Sequence, residues 1–436
     1  MPAQILVLGF GILILLGAIL LSLPIASSSG ERLPFLDALF TSTSAVAVTG
    51  LVVVDTGTYF SLFGQLVILV LIQIGGLGFM TMTTLLALLL GKRISLRERL
   101  IMQEALNKLS LSGVVHLTVR VLQLAAAFEA VGAFFLAFKF VPLYGWAKGI
   151  YYSIFHSISA FNNAGFDLMG GFRSLQGFQS SLLVNTVIAV LVICGGLGFT
   201  VLLDIGVKRR FSRLSLHSKV VIIMTVVLLV LGCVVFFLLE YSNQDTLGRL
   251  TLPRKMLVSF FQSVVPRTAG FSTVDIGRLT SPTLFFLIFL MFIGASPGST
   301  GGGIKTSTAG ALLAAAWSVI QGNEEVELLN RRLPKEIVYR ALAIFLMALG
   351  LLSVAAMGLA VTEPYPFLKV LFEAASAFGT VGLSTGITPE LSAPGKIIII
   401  LLMYIGRLGP MTAAAALAQR MQAKSFRFPE EKIVVG

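Results

Sequence analysis

Long apolar stretches alternate with short polar or basic segments along the whole chain. Eight of these stretches are long enough to cross a hydrocarbon layer of about 30 Å, which takes about 20 helical residues. They fall into four pairs, at about 5–25 and 60–90, 114–141 and 182–207, 219–240 and 282–318, and 337–361 and 396–419. The pattern predicts an all-α polytopic membrane protein with eight transmembrane helices.

A shorter amphipathic segment, too short to span a bilayer, lies between the two members of each pair. These segments cover roughly 34–47, 148–161, 253–265 and 366–378. Three of them begin near a proline, as helices often do: Pro34, Pro253 and Pro366. Each runs into a glycine followed by Leu or Phe, and the order span, short helix, glycine turn, span is typical of a re-entrant pore loop.

The glycine motif recurs every 105 to 115 residues, with a phenylalanine ten positions before each glycine (Phe40, Phe155, Phe260 and Phe372). We expect four parallel repeats with pseudo-fourfold symmetry around a central pore. The predicted units cover residues 1–107, 108–215, 216–330 and 331–436, the last with a short tail. Glycine-rich patterns in the second spans, such as Ile74–Gly78 and Cys194–Gly198, recur as well and support the fourfold duplication; helix packing through small residues explains most of these glycines.

Composition and charge support a membrane setting. The chain is 56% hydrophobic and 12% charged, whereas soluble proteins carry about 25% charged residues. The net charge of +12 comes from basic clusters in three connectors and the tail, and the positive-inside rule places these clusters and both termini in the cytoplasm. The orientation of the chain in the membrane thus accounts for the excess of basic residues, and a nucleic-acid partner is not needed to explain it. The clusters are Lys92, Arg93, Arg97, Arg99, Lys108; Lys208, Arg209, Arg210, Arg213, Lys219; Arg331, Arg332, Lys335; and Arg420, Lys424, Arg427, Lys432.

The four glycines point to a selectivity filter. Backbone carbonyls that converge on one axis can replace the water shell of K+, and glycine adopts the unusual dihedrals this needs at low cost. The predicted filter segments are Val48-Thr49-Gly50-Leu51, Asn163-Ala164-Gly165-Phe166, Thr268-Ala269-Gly270-Phe271 and Thr380-Val381-Gly382-Leu383. The predicted K+ ligands are Thr49, Gly50, Asn163, Ala164, Thr268, Ala269, Thr380 and Val381.

Charged residues flank these segments. Asp55, Asp167 and Asp275 follow a filter glycine, where they either concentrate cations at the outer mouth or are ordinary solvated loop acids. Arg267 precedes the third filter, and we expect it to form hydrogen bonds behind the filter, away from the ion path.

The second span of the third unit contains a proline and several glycines, so a continuous helix is not expected there. The pattern lacks the Gly-Lys-Ser/Thr order of a phosphate-binding loop. At membrane depth such a loop lines a cavity, and we expect a gate over about 294–310, with a passive kink as the alternative. The predicted gate residues are Gly298, Ser299, Thr300, Gly301, Gly302, Gly303, Lys305 and Arg407.

Arg407 lies inside the eighth span, where a charge is costly and indicates function. It corresponds to Gly76, Gly196 and Ala295 in the other units. It should therefore face the central axis, where it raises a barrier to cations or fixes the loop through the loop's carbonyls. A salt bridge to Glu373 is the structural alternative.

An enzyme is not expected. Cys194 and Cys233 lie in apolar runs and lack the spacing of metal ligands, so we expect them to be small buried hydrophobic side chains. His116, His156 and His217 are scattered among unlike neighbours and indicate neither a zinc site nor a catalytic triad.

With four pore loops, a glycine-rich break in the third unit and an arginine in the last span, the sequence resembles the Trk/Ktr/HKT superfamily of potassium transporters, most closely the KtrB-type membrane subunits of bacterial Ktr systems. The resemblance covers about residues 5–425. It implies a homodimer in the bacterial plasma membrane, one pore per subunit, and a cytoplasmic ring of KtrA-type subunits that bind ATP or ADP and control the gate.

The resemblance also bears on the transported ion. In this family a serine in place of the first filter glycine goes with sodium permeation, so Gly50 favours K+. Asn163 and the alanines at 164 and 269 loosen the pattern, and Na+-dependent symport or Na+ permeation on the same scaffold remains the alternative.

Overall fold

The computed structural model describes residues 2–78, 114–323 and 325–417. These residues are mainly helical, and the strands they contain are Glu327–Leu328 and Arg331–Arg332, paired antiparallel. Three predicted features lie outside the described residues: the basic clusters at 92–108 and 420–432, and the second half of the span predicted at 60–90.

Four long helices cover Pro2–Leu21, Val114–Tyr144, Leu216–Glu240 and Lys335–Thr362. Within the described part of the chain, these four contain segments long and apolar enough to cross a membrane, and a fifth span results if the bent pair Leu182–Leu197 and Phe199–Lys208 counts as one. Large apolar side chains on the long helices are widely exposed, for example Leu8, Val230 and Val354. Such side chains are suited to contact with lipid, not water.

The short helices cover Phe35–Val46, Trp146–Phe161, Leu252–Val264 and Phe367–Gly379, within two residues of the predicted segments. Pro34 and Pro366 cap the first and fourth, and Pro253 lies in the first turn of the third. The second instead starts after Gly145, whose φ is +80°. Their C-terminal halves are buried in all four units.

Hydroxyl groups bind the first three short helices to the long helix of the same unit. Each donates at 2.6–2.7 Å to a main-chain carbonyl of that helix, from Ser42, Ser157 and Ser263. A glycine of the long helix makes room for each serine: Gly17, Gly132 and Gly232. These contacts satisfy the hydroxyls inside an apolar environment, where an unpaired polar group is costly.

The return helices follow the glycine turns and cover Leu62–Leu77, Leu182–Leu197, Ser281–Phe292 and Ala393–Leu408. Each of the first three packs against the short helix of the next unit, and the fourth packs against the short helix of the first. The helix contacts therefore close into a ring.

The return helices are shorter than predicted. Three end at a glycine with φ between +86° and +92°: Gly78, Gly198 and Gly409. A helix cannot continue through this conformation, so two of the predicted spans are each broken into two helices. The span predicted at 182–207 consists of Leu182–Leu197 and Phe199–Lys208, whose axes differ by 97°. The span predicted at 396–419 consists of Ala393–Leu408 and Pro410–Leu417. Interpreting these glycines only as packing residues was wrong for the last glycine of each pattern.

The third return helix ends at Phe292, and Thr306–Ile320 resumes after the glycine-rich loop, here residues 293–305. The loop is thus shorter than the predicted 294–310, because residues 306–310 are helical. The remaining short elements are Pro24–Ala26, Thr56–Tyr59, Gln176–Phe178, Phe211–Arg213, Ile276–Arg278 and Thr388–Glu390.

The third unit also departs from the predicted phenylalanine register. The other three phenylalanines are fully buried (Phe40, Phe155 and Phe372), whereas Phe260 is 38% exposed and its neighbour Phe261 is buried. The serine that binds the long helix likewise stands seven residues before its glycine in this unit and eight before it in the first two. One residue fewer therefore lies between these equivalent helix positions and the glycine in the third unit, and Phe261 is the residue equivalent to the other three phenylalanines.

Gly406 lies directly against the main-chain carbonyl of Phe378, with no space for a side chain. We expect Gly406→Ala to force the return helix off the short helix and to destabilise the fold by about 2 kcal/mol, the usual cost of overpacking. The measurement is the thermal midpoint of the detergent-solubilised protein. Gly350→Ala is the matched control, because nothing lies within 4 Å of an added methyl group there; an equal loss in both variants would contradict the packing argument.

Candidate functional site

The four filter glycines meet in a closed ring. A methyl group on any of them would lie closer than 3.0 Å to the carbonyl oxygen just before the glycine of the next unit. The pairs are Gly50 with Ala164, Gly165 with Ala269, Gly270 with Val381, and Gly382 with Thr49. Each glycine is thus in contact with a neighbouring strand, and any side chain there would push the ring apart.

The backbone takes the same course in all four loops. Each glycine has a positive φ, and so does the residue two positions earlier, at +50° to +75°: Val48, Asn163, Thr268 and Thr380. The residue between these two has a negative φ. This alternation of positive and negative φ turns successive peptide groups toward one side of the strand. Positive φ is strained for β-branched residues, so the surrounding contacts must hold these loops in place.

Short-helix serines supply two of these contacts. Ser44 Oγ accepts from Gly50 N at 3.0 Å, and Ser376 Oγ accepts from Gly382 N at 3.1 Å. The residue after each glycine is almost completely buried and anchors the strand in the core: Leu51, Phe166, Phe271 and Leu383.

The oxygen atoms at the ring suit an alkali cation. Main-chain carbonyls of Thr49, Ala164, Ala269 and Val381 line the contacts between units. Thr49 is fully buried, and its Oγ1 has no hydrogen-bond partner within the described ranges. A neutral oxygen set of this kind is what a hard monovalent cation requires to leave water.

A cavity of about 370 Å³ lies on one side of the ring and is lined by all four glycines. It also exposes one carboxylate from each unit: Asp55, Asp167, Asp275 and Glu390. The first three were predicted. Glu390 was missed because it stands eight residues after its glycine, farther than the others. The sequence nevertheless contained a signal for it, since every unit has an acidic residue between its glycine and the following span.

Most of these carboxylates are held by nearby donors. Asp55 accepts from Thr58 N and from Phe172 N of the second unit, both at 2.8 Å. Asp275 pairs with Arg278 at 3.2 Å, and Glu390 accepts from the Tyr365 hydroxyl. The acids are therefore fixed around the cavity and are not freely solvated, and cation concentration by them stays a prediction.

Asp167 is the most enclosed of the four. Its carboxylate accepts from Met169 N at 2.9 Å. Burial raises its pKa to about 7, and the neighbouring Asp55 carboxylate acts in the same direction. Because the pKa is raised, this carboxyl becomes neutral as the pH falls through 7, and the cavity then loses one negative charge.

The glycine-rich loop lies against the other side of the ring. Gly302 N donates to Thr380 Oγ1 at 3.0 Å. Thr300 Oγ1 is hydrogen-bonded to the side-chain amide of Asn163 at 3.2 Å, and Gly301 packs on Thr268. The side chains at the strained position of three units therefore contact the loop.

Hydroxyls and main-chain bonds satisfy the backbone of the loop, as expected for non-helical chain at membrane depth. Ser299 Oγ donates to Ser296 O at 2.6 Å, and the hydroxyls of Ser296 and Thr306 pair at 2.8 Å. Positive φ values at Gly298 and Gly303 reverse the chain direction at each side of the loop. Its N–H groups at 296 and 300 bind the carbonyls of Gly196 and Gly195.

Two cationic side chains reach the same loop. Arg407 Nη1 donates to Thr300 O, and Nη2 donates to the carbonyls of Gly75 and Gly76. Lys305 Nζ donates to Gly301 O at 2.7 Å. The contacts match the expectation that Arg407 holds the loop through its carbonyls.

The alternative of a salt bridge between Arg407 and Glu373 is wrong, because Glu373 accepts from Ser384, Thr385 and Thr388 instead. Arg267 also lies where expected. It is buried, and its Nη2 donates at 3.2 Å to Thr225 Oγ1 of the third long helix, behind the ring.

A partly buried polar cluster between the first two units was not predicted. Gln73 Nε2 donates to both Glu129 oxygens at 3.0 and 3.1 Å, and Asn162 Nδ2 donates to Glu129 Oε1 at 3.0 Å. Asn162 directly precedes the strained Asn163. The signal was available in the sequence, since an acid inside a predicted span is unusual.

Comparison with known proteins now decides the family. Residues 3–427 match TrkH, cation transport protein. The chain belongs to the TrkH family.

Relatives in the TrkH family are similar over their whole length. The chain is 45% identical to the Ktr system potassium uptake protein B of Bacillus subtilis, covering 100% of this chain and 97% of that protein. It is 44% identical to the potassium/sodium uptake protein NtpJ of Enterococcus hirae, again over 100% and 97%. The crystal structure of the potassium transporter TrkH from Vibrio parahaemolyticus shares the fold, with a TM-score of 0.75, 20% identity and coverage of 95% and 84%.

We expect cation flux at subsaturating concentration to fall as the pH on the cavity side is lowered from 8 to 6, because Asp167 gains a proton with a pKa of about 7. Asp167→Asn should lower the flux at pH 8 and remove this pH dependence. The measurement is Rb+ flux into proteoliposomes at fixed internal pH. Asp275→Asn removes the same charge elsewhere in the cavity and should keep the pH dependence; a wild-type pH profile in Asp167→Asn would contradict the assignment.

Proposed function

We propose that this protein is the membrane subunit of a bacterial potassium uptake system and conducts K+ through the ring of four loops. The observation that carries the proposal is the closed set of contacts between each glycine and the carbonyl of the next unit. Four strands in contact at their glycines bring carbonyl oxygens from four directions to one line, which is the arrangement that dehydrated K+ requires.

The names of the relatives agree with this proposal. The relative from Bacillus subtilis is a potassium uptake protein, and its identity of 45% extends over the whole chain. The TrkH family is one of cation transport proteins. The pathway we propose contains binding and release steps and no catalytic one.

The path begins at the cavity, where four carboxylates raise the local cation concentration. K+ then exchanges water for oxygens of the filter segments, with Thr49, Gly50, Asn163, Ala164, Thr268, Ala269, Thr380 and Val381 as the proposed ligands. The side chains of Asn163, Thr268 and Thr380 contact the glycine-rich loop. Their main-chain carbonyls are therefore the proposed ligand atoms.

Beyond the ring, the glycine-rich loop closes the path in the proposed resting state. It contacts the ring directly, and the positive charges of Lys305 and Arg407 add an electrostatic barrier to a cation. Because its bonds to the ring are few, a modest displacement of the loop opens the path. The proposed gate consists of residues 298–303 with Lys305 and Arg407.

Regulation belongs to the proposal as well. We infer a homodimer with one pore per subunit, eight spans in four repeats, both termini in the cytoplasm, and a cytoplasmic KtrA-type ring that moves the loop when it binds ATP or ADP. The relatives' description as a Ktr system supports a multi-component assembly.

A second candidate function is Na+-dependent K+ symport or Na+ permeation. It is favoured by the 44% identity to a potassium/sodium uptake protein and by the irregular second and third filter segments. Uptake of Rb+ with and without external Na+ separates the two: an absolute requirement for Na+ favours symport, and uptake without Na+ favours the channel-like pathway.

The direct test is Rb+ uptake in a bacterial strain that lacks its own K+ uptake systems, with and without a KtrA-type partner. We expect uptake that rises with the partner present. A chain that is inserted in the membrane but moves neither Rb+ nor K+ under either condition would overturn the proposal.

Gly382→Ser should relax selectivity toward Na+, because a side chain would displace the strand of the first unit at Thr49 and disturb the spacing of oxygen atoms that suits K+. Gly50→Ser should act in the same way through Ala164. We expect roughly a tenfold loss of K+ over Na+ preference, the change that about 1.4 kcal/mol produces. The measurement is competition between K+ and Na+ for Rb+ flux.

The matched control for the serine substitutions is Gly177→Ser, at a glycine with nothing within 4 Å and an ordinary φ. It should keep the wild-type preference. Unchanged selectivity in both ring variants would refute the filter assignment.

Deleting residues 298–303 should raise the flux and make it independent of the partner, because the loop then no longer reaches Thr380 or Asn163. The measurement is Rb+ flux in proteoliposomes with and without the partner. Shortening the exposed turn at Gly322-Asn323 is the control and should leave regulation intact. Unchanged or lower flux in a deletion variant that elutes as a single species would count against the gate.

A further inference from the structure

Each short helix carries a buried polar side chain at one equivalent position. The position is nine residues before the ring glycine in the first, second and fourth units, and eight before it in the third, where one residue fewer follows it. The four residues are Thr41, His156, Gln262 and Glu373. All are essentially unexposed, at 0–1%. A polar group this deeply buried needs partners, and three of the four find them in the strand that follows their own glycine.

Glu373 makes the most extensive of these contacts. Its Oε1 accepts from Ser384 Oγ at 2.5 Å and from Thr385 N at 2.9 Å. Its Oε2 accepts from Thr388 Oγ1 at 2.9 Å. One carboxyl group therefore holds three successive parts of the strand that leaves Gly382.

Gln262 and His156 do the same in their units with different chemistry. Gln262 Nε2 donates to Ser272 Oγ at 3.0 Å. His156 Nε2 accepts from Leu168 N at 3.3 Å, so this nitrogen carries no proton, and Nδ1 donates to Tyr152 O at 2.7 Å. The bonded residues Ser272 and Leu168 stand two and three positions after their glycines, as Ser384 and Thr385 do in the fourth unit.

The first unit lacks this contact. Thr41 Oγ1 donates to Asp37 O within its own helix, at 2.9 Å. Thr41 has a shorter side chain than Glu373, Gln262 or His156, and the residues two and three positions after Gly50, Val52 and Val53, add no polar side chain. Three ring strands are therefore bound beyond their glycines by the side chain at this helix position. The first strand lacks this bond, and its short helix instead holds it at the glycine, where Ser44 Oγ accepts from Gly50 N.

We propose that Glu373, Gln262 and His156 are positioning residues that fix the ring strands and thereby set the preference for K+ over Na+, with Glu373 contributing most. This inference rests on the proposed function of the ring as a selectivity filter. The smaller Na+ needs its ligands closer together, so a strand free to relax inward accommodates it. Glu373 accepts hydrogen bonds from three residues of its strand, Ser384, Thr385 and Thr388, which is more than Gln262 or His156 makes with its strand.

The test compares Glu373→Leu with Glu373→Gln by competition of K+ and Na+ for Rb+ flux in proteoliposomes. Leucine removes every acceptor, and we expect about a tenfold loss of K+ preference, because the buried donors of Ser384, Thr385 and Thr388 are then left without this partner. Glutamine keeps Oε1 for Ser384 and Thr385 and should stay within about twofold of wild type, as the equivalent Gln262 already binds its strand.

Thr41→Val is the matched control at the equivalent position of the first unit and should leave the preference unchanged. An equal loss there would mean that any polar deletion behind the ring has this effect, and it would overturn the proposal. Wild-type preference in Glu373→Leu would overturn it as well.

Ser384→Ala and Thr388→Val approach the same bonds from the strand side, should Glu373→Leu not fold. We expect each to lower the preference by less than Glu373→Leu, with effects that do not add to those of Glu373→Leu, because they remove the same contacts. If the effect of a strand substitution added fully to that of Glu373→Leu, the two residues would not act through the same hydrogen bonds.

Gly382→Ser, measured in parallel, separates failure of this inference from failure of the filter itself. If Gly382→Ser changes the preference and Glu373→Leu does not, only the positioning role is wrong. If neither changes it, the proposed function of the ring is wrong and this inference falls with it.

Discussion

The contact between a glycine and the carbonyl of the next unit is the constraint on which the structure depends. It occurs four times and closes on itself, from Gly50 around to Gly382. Because no side chain fits at these positions, the four strands can approach one another only through glycine. The short helices, their serines and the return helices all act to hold the strands at this distance despite the strained residues beside each glycine.

The two sides of the ring are chemically opposite. One side faces a cavity with four carboxylates, which attracts cations. The other contacts a loop whose carbonyls bind Lys305 and Arg407, which repel them. In the proposed pathway, a cation therefore gathers on one side and meets a barrier on the other. Arg407 also joins the loop to Gly75 and Gly76 of the first unit, so a movement of the loop involves three units.

The four units share the same backbone path and differ in the side chains that hold it. Serines bind three of the short helices to their long helices, and the fourth helix lacks such a serine contact among the described residues. Behind the ring, a carboxyl, an amide, an imidazole and a hydroxyl occupy one position. A single chain can vary each strand independently, which a channel made of four identical subunits cannot do.

Much of the architecture followed from the sequence alone. Apolar length predicted the long helices, and proline with amphipathic spacing predicted the short helices to within two residues. The glycine repeat identified the loops that meet. These features are local, because they depend on spacing and on the backbone freedom of single residues. The helix breaks at Gly78, Gly198 and Gly409 were missed, since a glycine in an apolar run suits helix packing equally well.

Only the tertiary structure decided the partners. The sequence left open whether Arg407 binds loop carbonyls, raises a barrier or pairs with Glu373, and the structure decided for the carbonyls. The sequence could not show that Glu373 binds the strand after its own glycine, or that one residue fewer precedes the third glycine behind the ring. Phe261 replaces Phe260 for that reason. Such contacts join residues up to several hundred positions apart, and their hydrogen bonds depend on how the helices pack around the ring, which no local pattern specifies.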